Sequence, residues 1–436
     1  LVTGFRLENA ADVDDTNALT ANERSRTALL SGLDPAYVTV YSSNENIAVA
    51  ALSGGSILVT PVAGAYGETN ILVRYDTANT TEYGLIHVTV LQDNDAVQAA
   101  TPDVSVKLAA PATAAGRNFT VSLRSDGTVW TWGENGSGQL GNGATGGSNV
   151  PVQVVKDANG TPLNNIISVA AGPYFALALD ADGHVWAWGD NQSGQLGNGT
   201  NAASTFAQPV LMGGQDEADP ADAYLHGIIA ISASSAYDNN TGSSFALALD
   251  ADGHVLAWGG NAYGQLGTGG VRSANDAGNR LPQYVLSGAS ATGAFENTGD
   301  INGRLQDVFA IAAGGNHAVA LKGNGTVYAW GRNDGAQLGS DMAKDGHGLA
   351  LATTARAVTM GGNTDSGNGG ADPHLTLRGV MDLDAGDDFT VVETEGHHAL
   401  RFGTLTSRDG YLTETEYHPA YLVTADENGF GVNRVE

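Results

Sequence analysis

One short pattern recurs five times along the chain, and it constrains the fold more than any other feature of the sequence. Its clearest copy runs from Phe175 to Gly189 as Phe-Ala-Leu-Ala-Leu-Asp-Ala-Asp-Gly-His-Val-Trp-Ala-Trp-Gly. In every copy a Gly lies fourteen residues after the first residue, and successive copies begin 56, 70, 72 and 72 residues apart, at Phe119, Phe175, Phe245, His317 and Phe389. Internal periods of this size indicate a propeller, a solenoid or another repeat array.

Each copy of the pattern predicts a β-hairpin. Phe175, Leu177 and Leu179 alternate with Ala, which is typical of a strand with one buried face. Asp-Gly then favours a tight turn, and the Trp-x-Trp-Gly run after it has the aromatic residues that strands prefer. Two more strand-like segments complete each unit: one carries Pro and Val, as in 151–154, and the other ends in small residues, as in 166–172. Four strands per repeated unit predict a β-propeller, in which each sheet is one blade.

These elements together resemble the repeat of the regulator of chromosome condensation family. The resemblance rests on Trp-Gly, on Ala-Ala-Gly, and on Gly-Gln-Leu-Gly or Ala-Gln-Leu-Gly at 138–141, 194–197, 264–267 and 336–339. It covers about residues 104–436 and implies a β-propeller. The fifth unit departs from the pattern, because Phe402 stands in place of Trp and Gly-Gln-Leu-Gly is missing.

The first and last units predict how the propeller closes. The first unit has Ala-Ala-Gly at 114–116 but lacks the apolar strand residues that should precede it. The chain ends in Val432-Asn-Arg-Val435, which has the pattern of that missing strand. We expect the C-terminal strand to complete the first blade, which makes five four-stranded blades and hides the edges of the ring. A longer natural chain is the alternative.

The first 95 residues predict a separate β-sandwich. Strand-like runs such as 38–52 and 69–75 are broken by Gly and Asn turns, and they resemble the bacterial immunoglobulin-like (Ig-like) domains of secreted surface proteins. Residues 96–103 have the composition of a linker. The whole chain is therefore predicted to be all-β, with an Ig-like domain over 1–95 and a propeller over 104–436.

The composition limits the chemistry and the partners. A net charge of −28 with only four lysines repels nucleic acid, whose binding depends on Lys and Arg at the phosphates. The chain has no Cys, which excludes disulfides and thiol catalysis, and no run of 18 apolar residues that could insert in a membrane. Because the chain opens on Leu1 rather than Met, we expect an export signal that has been removed or a trimmed chain.

Clusters of carboxylates are the only candidate cofactor sites. Calcium prefers clustered carboxylate oxygens, and six residues lie in such clusters outside the hairpins: Asp12, Asp14, Asp15, Asp382, Asp384 and Asp387. The Asp residues of the hairpins, in contrast, are explained by turn formation. No motif of nucleophilic, acid–base or phosphate-binding chemistry stands out, so no cofactor other than calcium is predicted and the chain is predicted not to be an enzyme.

Recognition of proteins is the remaining prediction. The connection from Ser340 to Pro373 is read as a long, Gly-rich loop suited to binding. We expect an extracellular or cell-surface protein that acts in adhesion or as a self-assembling subunit of a surface fibre. The first alternative is a soluble secreted propeller that binds or inhibits one protein target. The second follows the family's best-known activity, in which a protein bound to chromatin exchanges guanine nucleotide on a small GTPase. The acidity of the chain and the absence of a basic tail count against it.

Overall fold

The structure is a computed structural model, and sixteen stretches of the chain are described in it: residues 26–29, 35–46, 48–53, 56–62, 67–76, 81–90, 112–212, 223–235, 244–271, 279–288, 303–339, 351–358, 376–394, 398–403, 421–424 and 431–433. None of the helical structure in these stretches is long and apolar enough to cross a membrane.

The described residues of the N-terminal part form six strands and one short 3-10 helix over Pro35–Tyr37. The strands are β1 (Arg26–Leu29), β2 (Val38–Ser42), β3 (Ala48–Ser53), β4 (Ser56–Pro61), β5 (Gly67–Asp76) and β6 (Thr81–Val90). They form two antiparallel three-stranded sheets in the orders β1-β4-β3 and β2-β5-β6. Alternate apolar residues of both sheets share one core, which includes Ile57, Val59, Ile71 and Val73. The prediction of an Ig-like domain stays a prediction.

The repeats form five antiparallel sheets that follow one another in chain order. The first contains β7 (Ala112–Ala115), β8 (Phe119–Leu123), β9 (Val129–Gly133) and β10 (Ser148–Gln153). The second contains β11 (Ile166–Ala171), β12 (Phe175–Asp180), β13 (Val185–Gly189) and β14 (Ser204–Pro209), and the third β15 (Ile228–Ala233), β16 (Phe245–Asp250), β17 (Val255–Gly259) and β18 (Gln283–Tyr284).

The fourth and fifth sheets contain the rest of the strands. These are β19 (Val308–Ala313), β20 (His317–Lys322), β21 (Val327–Arg332) and β22 (Leu351–Ala357), followed by β23 (Val380–Ala385), β24 (Phe389–Thr394), β25 (His398–Gly403), β26 (Tyr421–Thr424) and β27 (Gly431–Asn433). The sheets pack in series, and the first strand of each lies against the first strand of the sheet before it. The prediction of an all-β fold with four-stranded, propeller-like blades is confirmed.

The hairpins have the turn that the Asp-Gly pairs favour, with one difference. In the second sheet Phe175 pairs with Gly189 and Leu179 with Val185, so that three residues form the loop between Asp180 and His184. Only Gly183 takes a positive φ, of 83°. The turn is therefore a three-residue loop with Gly in the left-handed region rather than a turn with two positive φ angles.

Two predictions about strands are wrong. The C-terminal strand does not complete the first sheet, since β27 pairs with β26 as the fifth strand of the last sheet. The edge strand of the first sheet is β7, because the short Ala-Thr-Ala-Ala segment pairs along β8 without large apolar residues. Ser340–Pro373 is not one long loop, since β22 lies within it and completes the fourth sheet.

The N-terminal sheet β2-β5-β6 contacts the fifth repeat sheet. Leu72 of β5 is fully buried in the core that contains Met381 and Phe402, and Tyr41 packs against the same core. The side-chain amide of Asn70 donates a hydrogen bond of 2.8 Å to the carbonyl oxygen of Met381. This contact holds β5 against the first strand of the fifth sheet.

Candidate functional site

The Gly-Gln-Leu-Gly elements hold neighbouring blades together. The indole Nε1–H of Trp188 donates to the carbonyl oxygen of Gln139 in the preceding blade, at 2.9 Å. The same bond, also 2.9 Å, joins Trp258 to Gln195 and Trp330 to Gln265. All three tryptophans are fully buried, so each seam between blades combines a large apolar ring with one satisfied carbonyl.

The polar residues of these elements are scaffold rather than site. The Asn191 carboxamide oxygen accepts from the Leu196 backbone N–H at 2.9 Å, and the Gln195 carboxamide oxygen accepts from the Ser193 N–H at 2.9 Å. Asn191 and Gln195 are fully buried, and the same bonds recur in the first, third and fourth blades. This recurrent polar motif therefore builds the fold of the loop.

The seam between the fourth and fifth blades uses a different set of residues. Phe402 has no N–H to replace that of Trp, and Thr390 instead donates its hydroxyl to the Gln337 carbonyl oxygen at 3.1 Å. The Thr390 hydroxyl is also 3.0 Å from Nε2 of His317, which stands where the other blades have Phe. Burial lowers the pKa of His317 to about 4, so the ring is neutral near pH 7. Because the Thr390 hydroxyl donates its one proton to the Gln337 carbonyl oxygen, it accepts from His317, and this requires the Nε2–H tautomer. His317, Thr390 and the Gln337 carbonyl oxygen thus form one hydrogen-bonded set next to Phe402.

One surface of the repeat sheets carries a row of apolar side chains, which we call the bulge row. In each of the last four sheets the first strand has an irregularity at its second residue, where the pairing register shifts. The bulged residues are all large and apolar: Ile167, Ile229, Phe309 and Met381. A bulged residue is left out of the regular pairing of the strand, so its side chain need not follow the alternation between the two faces of the sheet.

Acidic turns alternate with the members of the bulge row. The backbone N–H of Ile228 donates to the Gly183 carbonyl oxygen at 3.1 Å, and Val308 donates to Gly253 at 3.0 Å. The Asp182-Gly183 turn therefore lies beside Ile229, and the Asp252-Gly253 turn lies beside Phe309. The Asp182 carboxylate also accepts from the Asn165 amide at 3.0 Å, which places the same turn near the start of β11 and its bulged Ile167.

The exposure of the bulge row differs from blade to blade. Ile167 is 39% exposed and Ile229 is 51% exposed. Met381 is fully buried, and its carbonyl is the one that Asn70 contacts. The N-terminal sheet thus covers one end of the row, and the two isoleucines face solvent between acidic turns.

The opposite end of the hairpins carries aromatic and charged residues. Arg332 lies over the ring of Tyr263, with its guanidinium carbon 5.3 Å from the ring centre, and contacts Asp334 at 2.6 Å. Arg117 contacts the hydroxyl of Tyr174 and lies over its ring. Burial raises the pKa of Asp388, although Arg332 opposes the change. These cations are already engaged with rings and carboxylates of the chain itself.

The predicted calcium ligands do not come together in the described residues. Asp382 and Asp384 lie exposed along β23, and each accepts a hydrogen bond from the backbone N–H of the residue that follows it. Asp387 lies in the loop after that strand, and Asp12, Asp14 and Asp15 lie outside the described residues. No group of three or more His, Asp and Glu side chains in the described stretches is arranged to hold a metal ion. Calcium binding stays a prediction.

The bulge row was not predicted from the sequence, although a signal for it exists. Each of the four first strands begins with two adjacent apolar residues, as in Ile166-Ile167 and Ile228-Ile229. Strict alternation requires only one of each pair to be buried, so the second residue breaks the period of the strand. That break marks the bulge.

The chain matches the repeat predicted from its motifs. A family model for the regulator of chromosome condensation (RCC1) repeat matches residues 126–179 and 182–222. A second model of the same description matches residues 112–139, 166–195, 240–265 and 310–337. The matched residues lie in the first four repeat sheets.

Several curated proteins resemble the chain over about half its length. Protein pim1 of Schizosaccharomyces pombe is 28% identical over 57% of the chain and 41% of its own length. The mitochondrial RCC1 domain-containing protein RUG3 of Arabidopsis thaliana is 29% identical over 50% of the chain and 41% of its own length. The human E3 ubiquitin-protein ligase HERC2 is 27% identical over 50% of the chain but only 4% of its own length. The chain therefore spans less than half of these relatives.

Solved structures also match the chain at low sequence identity. Prp20p of Saccharomyces cerevisiae, described with its binding to Gsp1p and histones, has a TM-score of 0.47 and 21% identity over 74% of this chain and 63% of its own.

The relatives overturn two predictions. They are intracellular proteins, among them a ubiquitin ligase and a mitochondrial protein, so the prediction of an extracellular or cell-surface location is wrong. The prediction of a secreted adhesion protein or fibre subunit is wrong for the same reason. It had relied on an acidic composition and on an Ig-like resemblance, and neither property is confined to exported proteins.

The motifs, the hydrogen-bonded seams and the matched segments agree with one another. In the segments that the two family models match, the chain is similar to the regulator of chromosome condensation repeat, and its repeats fold as the four-stranded blades of a propeller-like, all-β protein.

Proposed function

We propose that this chain is a non-enzymatic regulator inside the cell that works by binding a basic protein partner with its propeller-like blades. The observation that carries the proposal is the bulge row, in which the exposed Ile167 lies beside the Asp126-Gly127 turn and the exposed Ile229 lies beside the Asp182-Gly183 turn. An apolar patch bordered by one sign of charge is a common form of protein-binding surface. The RCC1-repeat relatives support a regulatory role.

The charge of the chain supports a basic partner. A net charge of −28 produces a negative potential that speeds the approach of a cationic protein and repels nucleic acid. Six cationic side chains of the described stretches lie over aromatic rings of the chain itself, where they are partly masked: Arg117, Arg124, Lys156, Arg304, Lys322 and Arg332.

The absence of an enzyme site belongs to the same proposal. His184 and His254, which follow two of the Asp-Gly turns, lie 3.4 and 3.3 Å from the carboxylates of Asp180 and Asp250. The Asp180 carboxylate also accepts a hydrogen bond from the backbone N–H of His184 at 2.9 Å, and the Asp250 carboxylate accepts one from the backbone N–H of His254 at 2.8 Å. Both pairs therefore belong to the hairpin turns, and repetition in two blades favours a structural role.

We also propose the domain organisation that the sequence predicts, with an Ig-like domain over 1–95 and five blades over 104–436. In the described stretches the strands of the fifth sheet do not pair with those of the first.

Exchange of guanine nucleotide on a small GTPase is the second candidate function. It is favoured by the matched RCC1 repeats, whose family resemblance implies this activity.

A titration tests the main proposal. Calorimetry of the chain against purified core histones, which serve as a basic protein probe, is expected to show saturable binding that weakens as salt rises. Serum albumin, an acidic protein, and a duplex DNA of random sequence are expected not to bind. Equal binding of all three probes, or binding of none, contradicts the proposal. Release of labelled GDP from a purified Ran-type GTPase, measured in parallel, decides the second candidate.

A further inference from the structure

We infer that the bulge row is a docking track for an extended, basic protein segment carrying an Asn-x-Leu-like pair, and that strand β5 of the chain itself occupies the last position of this track. The inference rests on the proposed protein-binding function and specifies its surface and the kind of partner.

The intramolecular contact at Met381 shows what the track accepts. Asn70 and Leu72 lie two residues apart on β5 and therefore on the same face of that strand. Asn70 donates its amide to the Met381 carbonyl oxygen at 2.8 Å, and Leu72 is fully buried in the core to which Met381 belongs. A strand thus docks on a bulged residue with one amide hydrogen bond and one buried Leu.

The same local structure is repeated where no strand covers it. Ile167 and Ile229 occupy the position of Met381 in the second and third sheets, at the same shift of register. Met381 is buried by its occupant, whereas Ile167 and Ile229 remain 39% and 51% exposed. The two isoleucines are therefore equivalent positions of the track that a separate polypeptide can fill.

The charges along the track determine which segment fits. Asp182 and Asp252 are exposed in the turns beside the track, and Asp307, just before the third bulged residue, has a side chain that is 79% exposed. At the occupied end the corresponding turn has Asn324 instead of Asp, and Arg378 lies exposed just before β23. The open positions are thus more acidic than the position that β5 fills, and they favour a segment with Lys or Arg around its apolar residue.

The other charged groups near the open positions leave the acidic character in place. Lys322 lies 3.9 Å from Asp307 in the fourth sheet, beside the Phe309 position rather than beside Ile167 or Ile229. The cation of the turn beside Ile167 is Arg124, whose guanidinium carbon lies 5.0 Å from the ring centre of Trp130. His184 and His254 each lie within 3.4 Å of the carboxylates of Asp180 and Asp250 in their own turns.

A peptide copied from the chain provides a sharp test. The probe is a ten-residue peptide of the β5 sequence, Gly67–Asp76, with Glu68→Lys and Asp76→Lys to make it basic. The control peptide carries Asn70→Ala and Leu72→Ala in addition. Fluorescence anisotropy with the full chain is expected to show at least tenfold tighter binding of the probe than of the control peptide.

Variants of the chain locate the site. The double variant Ile167→Asp with Ile229→Asp is expected to weaken probe binding at least tenfold. Val150→Asp makes the same change at an apolar residue that is 65% exposed on β10, away from the track, and is expected to leave binding within twofold. Circular dichroism of each variant checks the fold, and because the three residues are exposed, all are expected to fold. Asp182→Asn with Asp252→Asn, a milder change, is expected to reduce the salt dependence of probe binding.

The outcomes separate this inference from the proposed function. Failure of the probe to bind, or equal binding by the unaltered chain and the isoleucine double variant, overturns the docking track. The histone titration of the unaltered chain decides independently whether the chain binds a basic protein. If histones also bind equally well to the isoleucine double variant, they bind through a surface other than the docking track.

Discussion

The Trp258→Phe variant tests the physical account of the seams between blades. Trp258 donates to the Gln195 carbonyl oxygen at 2.9 Å, and both residues are fully buried. Phe keeps most of the ring but removes the donor, so the carbonyl is left without a partner in an apolar seam. The chain itself contains the compensated form of this change, because Phe402 is accompanied by Thr390, whose hydroxyl reaches the Gln337 carbonyl oxygen.

The expected magnitude follows from two contributions. A buried carbonyl without a hydrogen bond costs about 1–3 kcal/mol. The smaller ring leaves a cavity that costs about 1 kcal/mol more, so Trp258→Phe is expected to lower the free energy of unfolding by about 2–4 kcal/mol. Ala246 pairs with Trp258 as Thr390 pairs with Phe402. Ala246→Thr added to Trp258→Phe is therefore expected to restore about 1 kcal/mol.

A double-mutant cycle by urea denaturation, followed by circular dichroism, measures this coupling. Ala246→Thr alone is expected to destabilise the chain by about 1–3 kcal/mol, because Trp258 fills the space that its new methyl and hydroxyl groups need. The coupling between the two substitutions is then favourable. Additive effects, with no recovery in the double variant, would refute the idea that Thr390 replaces the missing indole N–H at the fourth seam.

Three further predictions concern pH, backbone and the N-terminal contact. The pKa of buried His317 is about 4 in the folded chain and near 6.5 in the unfolded chain, so the unfolded state binds more protons between these pH values. The free energy of unfolding is therefore expected to fall by up to about 3 kcal/mol as the pH drops from 6.5 to 4. Urea denaturation at several pH values measures this fall, which is expected to be smaller for His317→Phe. Gly189 has a φ of 102°, and a Cβ at this position would lie 2.4 Å from the Tyr174 carbonyl oxygen. Gly189→Ala is therefore expected to lower the midpoint temperature of thermal unfolding clearly. Gly136→Ala, whose Cβ would have no atom within 4 Å, is expected to leave this temperature unchanged. Asn70→Asp places a carboxylate against the Met381 carbonyl oxygen, so backbone hydrogen exchange in β23 is expected to accelerate. Asn46→Asp makes the same change at an exposed position and is expected to have no effect on this exchange. Equal exchange in both variants would contradict the Asn70 contact.

The hairpins were predictable because their residues repeat a local rule. Alternating Phe and Leu, an Asp-Gly turn and a Trp-rich returning strand each favour the same structure in every copy. Strand β22 was missed because Leu-Ala-Thr-Thr-Ala-Arg-Ala lacks the Pro and Val that mark the equivalent strand elsewhere. The position of β27 was missed because a short Val-bearing strand fits the edge of more than one sheet, and sequence pattern does not select between them.

The candidate site was harder to predict than the fold. The bulge row depends on a shift of register, which makes an ordinary apolar residue such as Ile229 leave the sheet and face solvent. The contact of Asn70 with Met381 joins residues that are 311 positions apart and uses a main-chain acceptor that no sequence motif marks. Phe402 was predicted only as a departure from the repeat pattern, and the hydrogen bonds of Thr390 with His317 and with the Gln337 carbonyl oxygen, which accompany it, have no sequence motif.

Hydrogen–deuterium exchange of the full chain with and without the basic probe tests the binding surface most directly. The account predicts slower exchange in the segments that begin β11 and β15, around Ile167 and Ile229, and no change in the loops at 134–138 and 190–194 on the opposite end of the hairpins. Protection of those loops instead, with unchanged exchange around the two isoleucines, would contradict it.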